Sequence, residues 1–467
     1  MVPTKGIGLD DISPRFLKDA ADPLTNIVTY LINFSLRSKT VPDCIKTAKV
    51  TPLHKKNSKL EVGNYRPISV LSSLSKVLEK AVHMQVEEHC NRHNLLYQLQ
   101  SGFRGNYSTN TCLIYLHDLI RKEISNGKVV GVLLLDVQKA FDSVDHQQLC
   151  KKIEIAGLDP TWFRSYLQNR KQIVTVNGHS SPPKQIIAGV PQGSILGPWF
   201  YLLYSNDIPS CLSSDDIKML LYADDTILLC SDKDPNIVSD KLSKALSNCQ
   251  HWFTNNKLVM HSGKTESILI TSIRKQHLKN NYIIHHAGQT IPPSDSVKYL
   301  GLKIDNTLSG KATVDSILSK CNSRLKFMAR YKNVLNEKTK KLLTSALIQC
   351  HFDYASTAWF FNLNKTLKNK LQVAQNKIVR FILNLHHRSR ITQTELDRAG
   401  VLSVSDRARQ LTLNHMFNVH HQIAPSYLCN NFVNLARRYN TRGNKSNYVT
   451  ASAHSIANNN FSIIGCS

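Results

Sequence analysis

The 467-residue sequence predicts an α+β fold of about three modules, from length alone at ~100–200 residues per domain. Two further observations set the class. A central block, residues 129–230, carries continuous apolar runs of strand character, and residues 312–399 contain neither Gly nor Pro while apolar residues recur at helical spacing. Hydrophobic residues at 42% and charged residues at 20% are ordinary for a packed chain and exclude wholesale disorder.

The first 130 residues read as mixed and irregular. Helices are predicted over 24–36 and 71–90, the second opened by Ser69, Ser72 and Ser73, which suit capping. Basic and glycine-containing connectors, KVTPLHKKNSK and SGFRGNYSTN, lie between and after them. The apolar run 129–137, VVGVLLLDV, suits a buried strand that presents Asp136 at its end, after which QKAFDSVDHQQLCKKI switches to helical spacing. GVPQGSILGP supplies Gly189, Gly193 and Gly197 for a backbone that approaches a ligand closely, with Pro198 at the first position of a following helix. KMLLYADDTILLC reads as a tight hairpin with Asp224 and Asp225 at its tip.

Charge is uneven. Lys and Arg number 59 against 33 Asp and Glu, a net +26, of which +17 falls in residues 301–467 and +9 in residues 1–300. Residues 311–390 hold 16 basic and 3 acidic residues. Ile317, Leu318, Leu325, Met328 and Leu335, then Leu342, Leu343, Ala346, Leu347 and Ile348, mark three or four amphipathic helices with basic outer faces. A folded body this basic usually meets a polyanion, and nucleic acid leads.

Other classes fall away. Runs such as 129–135 are far short of the ~20 residues of a membrane helix, so no membrane partner is expected. MVPTKGIGLDD has no apolar signal-peptide core. Eleven cysteines, from Cys44 to Cys466, are scattered with no C-x-x-C pair, which argues against a zinc knuckle or a disulfide framework and fits a reducing, intracellular compartment.

Two adjacent carboxylates buried between apolar strands repel and are costly to desolvate without a cation. Bound divalent metal resolves the conflict: hard oxygen donors suit Mg²⁺, and three carboxylates could hold two ions roughly 3.5–4 Å apart for in-line phosphoryl transfer. The plainer alternative is a turn with two exposed acids.

Taken in order, LLLDVQKAFDSVDH, GVPQGSILGP, LYADDTILL, HSGKTESILI and VKYLGLKID resemble the successive palm motifs of reverse transcriptases, in particular those of LINE-type non-LTR retrotransposons of the jockey-like group. NYRPISVLSSLSKVLEK and QSGFRGNYST resemble the fingers motifs of that group, and HFDYASTAWF with LKNKLQVAQNKIVRFIL the thumb region and beyond. The resemblance implies a right-hand polymerase. Its domains would be an N-terminal extension and fingers (1–128), a palm (129–305, with the reverse transcriptase domain about 45–305), a basic helical thumb (306–400) and a C-terminal region (401–467). The activity implied is RNA-directed DNA synthesis from a 3′-hydroxyl primer, with deoxynucleoside triphosphates, RNA template and DNA primer or target as partners. Two Mg²⁺ ions would serve, with Mn²⁺ as a substitute.

By position the resemblance makes Asp136, Asp224 and Asp225 the catalytic, metal-binding carboxylates. Phe141 takes the place of an aromatic steric gate against the ribose 2′-hydroxyl, core filling being its plainer role. Gln192 and Gly193 match a loop that contacts incoming nucleotide and template. Arg66 and Arg104 would bind triphosphate or template backbone, or stand as solvated surface arginines. Lys264 matches a candidate proton donor to pyrophosphate. His261 stands where the family usually has Asn, and Trp199 replaces a smaller aliphatic residue. Complete elements also carry an amino-terminal endonuclease, and ASAHSIANNNFSIIGCS looks like a cut edge, so a truncated element is expected. The family implies a cytoplasmic ribonucleoprotein and the nucleus. The rival readings are a group II intron maturase and a catalytically idle nucleic-acid-binding relic.

Overall fold

The computed structural model describes residues 6–431. The expectations about MVPTK, Cys466 and the ASAHSIANNNFSIIGCS segment lie outside the described residues. The elements are those of an α+β protein, and the chain divides into two compact units, each built from several stretches of sequence.

One unit takes residues 104–135, 214–247 and the described residues from 263 onward. Its centre is a four-stranded antiparallel sheet of β1 (Val129–Leu135), β2 (Ile217–Tyr222), β3 (Asp225–Asp232) and β4 (Glu266–Ile270), in the order β2-β3-β1-β4. β1 is central, and all its residues but Leu134 are buried, which its unbroken apolar sequence foretells. Gly131 is required there: a Cβ would stand 2.4 Å from Val238 and 2.8 Å from Leu242, on the helix Pro235–Asn255. The helix Thr109–Ser125 opens with a capping box between Ser108 and Thr111 and buries Leu113, Leu116, Ile120 and Ile124.

The same unit carries the predicted helices. Lys311–Ala329, Glu337–Thr344 and Lys365–Ile382 form, with a further helix, Val404–His420, beyond the predicted stretch, and Lys365–Ile382 buries Leu367, Leu371, Ala374, Ile378 and Ile382 while Lys365, Lys370 and Lys377 stay exposed. Two expectations change. The apolar stripe over 342–348 is not continuous: Leu342 is 69% exposed and Leu347 42%, whereas Ile348 is buried. A π turn over Ser345–Gln349 shifts the helical phase, so residues spaced for one α-helix do not share a face. Nor are all the basic residues outside. Lys340 is fully buried, its Nζ donating to Asn384 Oδ1 at 2.6 Å and lying 5.5 Å from the Phe381 ring centre.

The other unit takes residues 6–103, 136–213 and 248–262. Here the connector expected at KVTPLH is a strand, Thr47–His54, antiparallel to Tyr65–Val70 and parallel to Lys171–Val176. Sequence patterning missed it because Pro52 faces Pro67 across the ladder and mimics a turn signal. The predicted helices appear as Ala21–Ser38 and Ser73–Arg92, the latter capped by Ser72. Trp162, Phe163, Tyr166, Phe200 and Tyr201 form an aromatic core with the helices Pro160–Leu167 and Leu196–Ser205. The latter helix starts two residues before the position expected from Pro198. None of the ten cysteines among the described residues is in a disulfide, and Cys211 and Cys249 bring their sulfurs to 3.7 Å, a pairing their sequence separation hides.

Candidate active site

β2 and β3 are joined by the two-residue turn Ala223-Asp224, closed by the pair Tyr222 and Asp225. Ala223 adopts a left-handed φ of 57°, which an L side chain adopts at a cost of ~1–2 kcal/mol. The turn sets the register that follows: Thr226, next to Asp225, stands opposite Leu135 at the end of β1. Asp136 is the residue bonded to Leu135. The sheet thus brings the end of β1 level with the hairpin turn. The burial expected of the Asp pair is not what is found, since Asp224 is half-buried and Asp225 exposed. Successive side chains alternate along β3, so Thr226 turns to a buried face and Asp225 to the other.

Beyond Asp136 the chain pairs with residues 259–261: the His261 amide donates to the Asp136 carbonyl at 2.8 Å, Val137 bridges Met260, and the Gln138 amide donates to Val259. The departure at His261 therefore does not disturb the backbone there, because the bond uses its main chain. Lys264 closes the short turn Ser262–Lys264, three residues further on, and is exposed.

Phe141 lies on the turn Ala140–Ser143, half-buried. Its ring stacks on Tyr201 at 5.0 Å between centroids and meets the edge-on Phe103 at 5.9 Å. The glycine loop is tied to the same turn. Gly189 donates to the Val144 carbonyl at 2.7 Å, Val190 to the Phe141 carbonyl at 2.8 Å, and the Gln192 amide group to Asp142 Oδ1 at 2.9 Å. Burial lifts the Asp142 carboxyl above its ordinary range even though the Gln192 hydrogen bond opposes this. On its other side the Gln192 carbonyl accepts from the Ser69 amide at 2.7 Å.

Arg66, next to Pro67 on the strand Tyr65–Val70, is exposed, and Arg104 lies over the Tyr107 ring at 4.1 Å from its centre. Trp199 is buried with its ring edge-on to His83 at 5.6 Å, so the larger side chain is absorbed by the core.

Residues 53–304 match the family described as reverse transcriptase (RNA-dependent DNA polymerase). The chain belongs to this family. Among relatives, it is 27% identical over 407 residues to the probable RNA-directed DNA polymerase from transposon BS of Drosophila melanogaster, covering 84% of this chain and 44% of that protein. It is also 27% identical over 423 residues to the RNA-directed DNA polymerase from mobile element jockey of Drosophila funebris, covering 88% and 45%. The chain spans less than half the length of these relatives. Among solved structures it is similar to a telomerase from Candida albicans in complex with a fragment of telomeric RNA, at 12% identity and a TM-score of 0.39, over 87% of this chain and 69% of that one.

Reverse transcriptases generally use divalent metal ions. The three aspartates are hard oxygen donors of the type such ions prefer. Among the described residues, however, no three His, Cys, Asp or Glu side chains are gathered closely enough to hold an ion. The donor chemistry of the three aspartates fits such an ion. Among the described residues, no helix is long and apolar enough to cross a membrane.

Three residues that sequence reasoning missed tie the glycine loop in place: Ser69, Asp142 and Glu79. Glu79 is 1% exposed, and its Oε2 accepts from the amides of Ile195 and Leu196 at 2.6 and 3.4 Å. A signal was present. Ser75, Leu78, Glu79, Val82 and Val86 fall on one buried stripe of the helix Ser73–Arg92, and a carboxylate on an apolar stripe needs a partner.

Proposed function

We propose that the chain is an RNA-directed DNA polymerase of a LINE-type non-LTR retrotransposon, extending a 3′-hydroxyl primer on an RNA template with deoxynucleoside triphosphates. One observation supports this reading: within the family-matched segment, the register of β1 and β3 sets the end of β1 level with the Ala223-Asp224 turn. Asp136, Asp224 and Asp225 would be the catalytic carboxylates. Bound Mg²⁺, or Mn²⁺ in its place, would activate the primer hydroxyl and neutralise charge on the triphosphate.

The chain's own groups do the rest. The Phe141 ring, fixed between Tyr201 and Phe103, walls off the sugar position and disfavours a 2′-hydroxyl. The Gln192–Gly193 backbone, free of a Cβ at Gly193, approaches nucleotide and template closely. Arg66 and Arg104 supply guanidinium groups for phosphate, and Lys264 an ammonium that gives a proton to the departing pyrophosphate. We assign residues 1–128 to an extension and fingers, 129–305 to the palm, 306–400 to the thumb and 401–467 to a C-terminal region. In the thumb the exposed lysines grip duplex phosphates. The family route runs through a cytoplasmic ribonucleoprotein and the nucleus.

The test is primer extension on an RNA template with Mg²⁺, comparing the parent with Asp224→Asn. Template-dependent DNA synthesis that the substitution abolishes is the expected result. A folded parent that binds template–primer without extending it would instead identify an idle binding protein.

A further inference from the structure

We propose that Glu79 is a positioning residue for nucleotide binding: its buried carboxylate holds the first turn of the helix Leu196–Ser205 and thereby sets the Gln192–Gly193 loop. The inference rests on the reading that this loop meets the incoming nucleotide.

The need for Glu79 is local. The N-cap of the helix Leu196–Ser205 is Ile195, whose side chain cannot cap it, so its first amides depend on other groups. Ser194 Oγ takes only the Gly197 amide, at 2.9 Å. Glu79 takes the remaining two, across a sequence separation of 116 and 117 residues. A carboxylate at a helix N-terminus also meets the positive end of the helix dipole.

Its own position is over-determined. Ser75 Oγ donates to Oε1 at 3.1 Å from the preceding turn of the same helix. Arg170, 1% exposed, supplies the nearby positive charge, stacked 4.5 Å from the Tyr166 ring centre with Nη1 donating to the Tyr166 carbonyl at 3.1 Å. Burial works to raise the Glu79 carboxyl, and Arg170 works against it.

The consequence reaches the loop through covalent geometry. Glu79 holds residues 195–196, Ser69 holds the Gln192 carbonyl and Asp142 holds the Gln192 side chain. These three anchors straddle Gln192 and Gly193. Removing Glu79 frees one end of the segment while leaving the nucleotide-facing groups chemically intact. The loss should therefore appear in nucleotide affinity rather than in the chemical step.

Steady-state primer extension by the full chain, with deoxynucleotide varied, tests this in Glu79→Ala and Glu79→Gln. The expected result for Glu79→Ala is a KM for deoxynucleotide raised tenfold or more with kcat within threefold. Glu79→Gln, which keeps an acceptor oxygen at the same place, should recover most of the loss. In a Gln192→Ala background, Glu79→Ala should add less than threefold. An unchanged KM in a folded Glu79→Ala protein, or a full tenfold effect on top of Gln192→Ala, would overturn the proposal. Hydrogen exchange separates this from failure of the polymerase reading, because it needs no activity. The Ile195 and Leu196 amides should exchange at least tenfold faster in Glu79→Ala than in the parent, and equal protection would overturn the anchor itself.

Discussion

The α-carbon of Gly193 lies so close to Ser69 that a Cβ on it would stand 2.3 Å from the Ser69 carbonyl oxygen. Ser69 belongs to the strand Tyr65–Val70, and its amide binds the Gln192 carbonyl. Gly193 also has a φ of 128°. Gly193→Ala should therefore force the loop away from Ser69 and destabilise the fold by about 1–3 kcal/mol. Deoxynucleotide incorporation should fall at least tenfold. Denaturant midpoints and primer extension measure the two effects, and parental values in both would show that the loop has room to spare.

Phe141 should govern sugar choice, because its ring is held from one side by Tyr201 and from another by Phe103. Phe141→Ala is expected to raise ribonucleotide incorporation relative to deoxynucleotide at least tenfold. Phe103→Ala should do so more weakly, by loosening the ring. The ratio of kcat/KM for the two sugars is the measurement, and an unchanged ratio in Phe141→Ala would leave Phe141 as core filling.

Basic residues of the helical region should divide by burial. Lys340→Ala removes a fully buried side chain together with its hydrogen bond to Asn384 and its packing on Phe381, and should cost about 1–3 kcal/mol of stability. Its effect on the salt dependence of template–primer binding should be negligible. Exposed Lys365, Lys370 and Lys377 should behave the opposite way: each replacement by Ala leaves stability within about 0.5 kcal/mol and lowers the slope of log affinity against log salt by about 1. Denaturation and binding titrations at several salt concentrations test both halves.

His117 should give the protein an acid-sensitive step. Burial lowers its imidazole from the ordinary 6.5 to about 3, helped by the neighbouring Arg121, and neither ring nitrogen has a hydrogen-bond partner. The unfolded chain therefore takes up this proton first. Stability from this group is whole above pH 6.5 and is lost as pH falls toward 3, by ~1.4 kcal/mol per pH unit. His117→Leu should flatten that slope between pH 6 and 4, on the order of the pH range this shift spans. Denaturant melts across the range would show an unaltered slope if His117 were not the group responsible.

Much of the backbone that carries the candidate site was legible because short-range patterns suffice for it. An apolar run closed by Asp136 and a two-residue turn at Ala223-Asp224 are local features, and the β1 strand and the hairpin form as their sequences suggest. Local patterns failed where the partner is distant. The Thr47–His54 strand is made by pairing with Tyr65–Val70 and Lys171–Val176, against the turn-like message of Pro52. Lys340 looks like any surface lysine until Asn384 and Phe381 are brought to it.

By itself, then, the sequence determined the α+β class, the family motifs, the concentration of positive charge beyond residue 300 and the residue types offered for catalysis. These depend on periodicity, composition and neighbours in the chain. Only the tertiary structure decided what surrounds those residues. It exposes Asp225, sets Phe141 between two aromatic rings, and makes Glu79 the anchor of a loop 116 residues away. Burial and hydrogen-bond satisfaction are properties of groups that meet in space, so a buried carboxylate and the amides it serves become a pair only once the chain has folded.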